Sequence, residues 1–202
     1  MTAIFGLGGC GLLCVALIAV ALRLDALAIR VRCALAFVAA LAVFIPIGDL
    51  SAAAWLRGVT GDLSVPTLAL AASACVSRIA GRSLFAPREW RALLAAVAAA
   101  GLFLYPFALG FTPFDPYALG YGSVVFVTVL LIATLAAWRA GLNLVVLVVV
   151  VAAAAYLAGA YESRNLWDYL IDPLAAGYAL AVPLWRGSRK LVSQRGERAP
   201  VV

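Results

Sequence analysis

Apolar residues in this chain come in long unbroken runs. They lack both the alternation of a half-buried strand and the one-sided stripe of a soluble helix. Five runs are clear, at about 3–22, 33–48, 92–111, 123–138 and 142–161. A helix rising 1.5 Å per residue needs roughly 20 residues to cross a hydrocarbon layer of about 30 Å, so each run is long enough or nearly so. Two further segments are weaker. "LSVPTLALAASACVS", 63 to 77, is short and rich in Ala and Ser, and 166 to 185 carries Asp168 and Asp172 before its apolar part. The expected fold is all-α: a polytopic integral membrane protein with about seven transmembrane helices.

Charge decides whether the two weak segments count. If all seven span with the N-terminus outside, thirteen of the fifteen Lys and Arg residues fall on the cytoplasmic side, against Asp25, Glu89 and Glu197. The outer side then holds Arg57 and Arg164 against Asp49, Asp62, Asp115, Glu162, Asp168 and Asp172. Cytoplasmic loops are enriched in Lys and Arg, so this arrangement satisfies the orientation rule. Removing the 63–77 helix would move the Arg78–Arg91 cluster to the side of Asp49 and Asp115 and break the bias. Residues 1–187 are thus read as one transmembrane helical domain in the cell inner (plasma) membrane. Residues 188–202 are read as a basic cytoplasmic tail held near anionic headgroups.

Composition agrees. The chain is 66% hydrophobic and 12% charged, with a mean hydropathy of +1.10. A soluble domain is nearer half apolar and a quarter charged, so the surplus must face lipid. The net charge of +6 follows from the loop arginines, and no separate basic domain invites nucleic acid. There is no histidine, which excludes Ser-His and Cys-His nucleophile pairs and histidine metal sites. Cys10, Cys14, Cys33 and Cys75 all lie within apolar runs, and no metal site or cofactor is implied. The first charge, Arg23, follows the first apolar run, so that run is read as an uncleaved helix and not as a signal peptide.

The candidates for chemistry gather in the outer loops. "IGDLSAAAWLRGVTGDLSVPT" repeats "GDLS", in which Asp or Ser would cap a helix, with Asp49, Asp62 and Arg57 as possible members of a polar site. Between the repeats, "SAAAWLR" suits an interfacial or re-entrant turn of helix. "GFTPFDPYALGYGS" offers Asp115 as a turn former and Tyr117 as a stacking surface. In "YESRNLWDYLIDPLAAGYALAVPLW", Ser163 or Asn165 would cap, and Asp168, three residues after Asn165, would take a capping-box position. Beginning that helix at Pro173 would leave it too short to cross, so Asp172 is expected a turn or more inside it. A carboxylate there needs a partner, with a salt bridge from Arg57 or Arg164 the simplest answer.

Asp168, Asp172, Asp115, Asp49 and Asp62 are the catalytic candidates. Arg57, Arg164, Tyr117 and Trp167 are the substrate-binding candidates. Three functions stay open. A non-catalytic accessory or scaffold subunit in envelope or lipid-linked glycan assembly, with a membrane-protein partner, leads because no catalytic motif is present. A carboxylate-dependent enzyme on a lipid-linked substrate, at the outer face, is the alternative. A lipid or small-solute carrier comes third, since no charged residue lies mid-span.

Overall fold

The computed structural model describes residues 2–110, 114–183 and 185. The basic segment expected at 188–202 lies outside the described residues. Each of the seven apolar segments contains a helix. In chain order the helices are α1 (Thr2–Ala21), α2 (Ile29–Ala42), α3 (Ala52–Thr60), α4 (Val65–Ala80), α5 (Pro87–Ala108), α6 (Val124–Arg139), α7 (Asn143–Leu157), α8 (Trp167–Leu170) and α9 (Pro173–Pro183). Among the described residues the only strands are Pro46–Ile47 (β1) and Leu50–Ser51 (β2), paired antiparallel.

Local chemistry sets these boundaries. Ser51 accepts from the Ala54 N–H at 3.2 Å and starts α3, as its place in "GDLS" suggests. Pro66 sits in the first turn of α4, where its missing N–H costs nothing, and Gly81 ends that helix with φ of +69°. Ser123 caps α6 through the Phe126 N–H.

Two boundaries differ from expectation. The second apolar run leaves the helix at Ala42, not at 48, because Pro46 and Gly48 (φ +76°) turn the chain into a hairpin. The last helix starts at Pro173 and not near 166. Asp172 is its N-cap and Pro173 its first residue, a pairing that suits an Asp oxygen and a residue with no N–H to satisfy.

α1, α2, α4, α5, α6, α7 and α9 run alternately in opposite directions. One end of the bundle gathers the start of α1 with the 46–64, 114–123 and 158–172 segments. The other gathers the 22–28, 81–86 and 140–142 turns. Two apolar cores hold the helices. One joins α5, α7, α8 and α9 through Leu104, Val148, Trp167, Tyr169 and Ala176. The other joins α1, α2 and α4 through Val15, Ala16, Ala39, Ala71 and Cys75. α1 and α5 are long and apolar enough to cross a membrane, and α4, α6, α7 and α9 are shorter apolar helices. Many large apolar side chains point outward, among them Leu157 (83% exposed), Val124 (79%) and Phe37 (66%).

Candidate functional site: a carboxylate and tyrosine cavity at one end of the bundle

A cavity of ≈ 580 Å³ opens at the end where α4 and α9 begin. Its lining includes Asp62, Asp168, Asp172 and Glu162, together with Tyr105, Tyr117 and Tyr161. Tyr105 comes from the last turns of α5, and the others come from the 61–64, 114–123 and 158–172 segments. The structure therefore brings together three of the five candidate aspartates and one of the candidate aromatic residues.

Asp172 is the most enclosed of them, with 7% of its surface exposed. Its Oδ1 accepts from the Ala175 N–H at 2.7 Å and the Thr67 hydroxyl at 2.9 Å, and its Oδ2 accepts from the Ser64 N–H at 2.8 Å. One carboxylate thus caps α9 and also satisfies the first turn of α4. Its partners are neutral donors, so the expected salt bridge from Arg57 or Arg164 is not how this charge is held. Beside it, Ser64 Oγ is fully buried and has no hydrogen-bond partner among the described residues.

Asp62 accepts from Arg57 Nε at 2.8 Å, and Arg57 Nη2 reaches Glu162 at 2.9 Å. The two carboxylates hold the guanidinium pKa above its ordinary value, Asp62 contributing most. α1 passes so close that a Cβ on Gly6 would lie 1.9 Å from Asp62 Oδ1.

Asp168 accepts from the Tyr117 hydroxyl at 2.9 Å and from Ser163 Oγ. Burial first, and then the Asp168 bond, pushes the Tyr117 pKa up. Around it the 116–120 and 165–167 segments lock together. Asn165 Nδ2 donates to the Tyr117 carbonyl, Trp167 Nε1 to the Pro116 carbonyl, and Leu166 N to the Gly120 carbonyl. Asn165 Oδ1 accepts from the Trp167 N–H at 2.9 Å in a local turn, while the cap position of α8 falls to Leu166, which makes no side-chain cap bond, so Asn165 is not the helix cap its sequence position suggests. Only glycine fits at 120, since a Cβ there would meet Asn165 Oδ1 at 1.7 Å. Tyr161 stacks on Tyr169 with ring centroids 4.5 Å apart, and burial raises its pKa to about 12.

The remaining candidates stand apart from the cavity. Asp49 is exposed in the turn between β1 and β2. Asp115 is exposed and accepts from the Tyr117 N–H at 2.9 Å, shaping the turn as its Asp-Pro context implies. Trp167 is buried against Phe126, ring centroids 4.5 Å apart, and anchors the loops from inside. Arg164 is exposed on the rim of an adjoining hollow with Thr2 and Tyr156. Sequence reasoning did not single out Tyr105, Tyr161 or Glu162 as candidates. Glu162 adjoins Tyr161 at the end of an apolar run, and that junction was the available signal. No group of three His, Cys, Asp or Glu side chains among the described residues is placed to hold a metal ion.

Compared with known family models, with curated proteins and with solved structures, the chain has no significant match in any of the three.

Proposed function

We propose that this chain is a seven-span membrane protein whose acidic end faces outside and acts as a rigid, non-catalytic platform for a membrane-protein partner. Two features support the membrane reading: the apolar belt exposed on α2, α6 and α7, and the division of charge between the ends. Arg23, Arg30, Arg32, Arg78, Arg82, Arg88, Arg91 and Arg139 lie at or beside the turns of one end, and Arg57 and Arg164 at the other. A lipid-facing helix has no use for a polar stripe, and a cytoplasmic end collects arginine.

One observation carries the platform reading. Every carboxylate around the cavity is already engaged inside the chain, Asp172 by three donors, Asp168 by two hydroxyls, and Asp62 and Glu162 by one guanidinium. These bonds tie the carboxylates to other parts of the chain and give each a structural task at this end, which supports a platform. The test is native mass spectrometry of the protein extracted from its own membrane in nanodiscs. A stoichiometric protein partner, lost on substituting the exposed Asp49 or Trp55, is the expected result. A protein found alone would sink the platform reading.

The enzyme reading keeps one specific observation in its favour: Asp62, Asp168 and Asp172 share one open cavity with three tyrosines. Asp168→Asn decides it. If function in cells survives while the fold is intact, carboxylate chemistry at this cavity fails.

A further inference from the structure

At the opposite end lies a second cavity, of ≈ 600 Å³, between α4, α5 and α9. Ser73, Ser77, Ser83 and Arg91 supply its polar wall, and Phe85 and Trp90 frame its edge. Arg91 is exposed, and its Nε donates weakly to the Pro87 carbonyl at 3.3 Å. Its two terminal nitrogens have no protein acceptor among the described residues.

Ser73, Phe85 and Trp90 also line a third space, an apolar groove of ≈ 700 Å³ running between α4 and α7 towards Tyr161. Apart from Ser73, Trp90 and Tyr161, its lining carries only hydrocarbon side chains. It exists because both facing helices present alanine there: Ala69 and Ala72 on α4, Ala154 and Ala155 on α7, with Ala158 just past the end of α7. Leu144 to Ala158 spans about 20 Å at 1.5 Å per residue, more than one leaflet of a bilayer core roughly 30 Å thick.

We infer that the cavity and groove together form a site for one anionic phospholipid, its phosphate against Arg91 and Ser73 and an acyl chain along the groove. Three observations converge on that ligand. A guanidinium with unused N–H groups matches phosphate oxygens. The basic end of the bundle supplies the complementary field, since Arg78 has Asp25 for a partner while Arg82, Arg88 and Arg91 have no carboxylate partner among the described residues. Continuity through Ser73, Phe85 and Trp90 joins a polar head space to an apolar chain space, which suits an amphiphile and neither a soluble anion nor a protein helix. Trp90 at the junction sits where an aromatic ring meets the headgroup level. The inference rests on the membrane reading and is independent of the platform reading.

The experiment is native mass spectrometry of the full chain released from nanodiscs of phosphatidylcholine containing a minor fraction of phosphatidylglycerol with the same acyl chains. One phosphatidylglycerol retained in preference to phosphatidylcholine is expected. Arg91→Gln should lower that preference about fivefold, the effect of one cation at a membrane surface. Ala155→Phe, which fills the groove, should abolish retention of either lipid. Arg139→Gln, at the same end but outside the site, should leave the preference unchanged. Equal retention of the two lipids, or equal losses in Arg91→Gln and Arg139→Gln, would mean ordinary annular lipid and overturn the site. Failure of the membrane reading looks different: the chain would stay in the aqueous phase without detergent and never enter the nanodisc. If Ala155→Phe does not fold, Arg91→Gln against Arg139→Gln still decides, because both residues lie at the surface.

Discussion

The two ends of this bundle handle charge in opposite ways. At the cavity end, carboxylates are drawn inward and held by donors that are mostly neutral: backbone N–H groups and hydroxyls around Asp172, hydroxyls around Asp168. At the other end, arginines stay near the surface and make few bonds, the ion pair of Arg78 with Asp25 being partly exposed on both sides. Enclosure makes each bond costly to lose, since an orphaned buried group forfeits its solvation. Exposure makes each one cheap, since water replaces it. The cavity end should therefore carry the stability of the loops, and the basic end should contribute little.

The sharpest break of that contrast is Asp172→Ala. It strips a cap and leaves Ser64 N, Thr67 Oγ1 and Ala175 N without acceptors, costing on the order of 3 kcal/mol by the usual penalties for such groups. Thermal unfolding in detergent should show a large drop in Tm. Asp172→Asn, which retains an oxygen, should lose less. An unchanged Tm for Asp172→Ala would mean that the acid does not organise this end.

Gly120→Ala comes next. Its methyl group would enter the space of Asn165 Oδ1, so the two loops must part, at a cost of about 1–3 kcal/mol typical of overpacking. Gly8→Ala, inside α1 where a Cβ meets nothing within 4 Å, is the control and should keep or raise its Tm.

Alkaline titration follows. The Tyr161 phenol titrates near 12 in the folded protein against about 10 when free. The unfolded chain therefore loses this proton first, and the associated stability is intact below pH 10 and lost as pH rises from about 10 to about 12. Phenolate absorbance and Tm measured together should show both changes in that window, and Tyr161→Phe should flatten the fall.

The smallest effect is expected at the basic end. Arg78→Gln should leave Tm within scatter at any salt concentration, whereas Arg57→Gln, which frees Asp62 and Glu162, should lower Tm measurably, by the equivalent of about 1 kcal/mol of stability. Equal effects would erase the distinction between the ends.

Much of this was legible in the sequence, for identifiable reasons. Long apolar runs fix helices wherever lipid-like surface dominates, so the seven helical segments and the Ser51 cap were readable. The division of charge was readable too, because it depends only on which loops lie at which end. A length requirement puts Asp172 inside its helix, while a local signal puts it at the start. An Asp followed by Pro is a cap followed by a first helical residue, and the local signal won. The partners of Asp172 were invisible for another reason. Ser64 and Thr67 lie more than a hundred residues away, and backbone and hydroxyl donors leave no charge pattern to match. Trp167 is a substrate-binding candidate in the sequence, yet its indole N–H finds the Pro116 carbonyl inside, which lets the whole ring be buried.

The bond between Ser64 and Asp172 also orders events during synthesis. Its partners are 108 residues apart, so the first turn of α4 leaves the ribosome long before the acid that completes it. Arg57 likewise waits 105 residues for Glu162. The cavity end cannot close until the last helix has been made, and a chain truncated before residue 172 presents bare amide donors where the finished protein presents none.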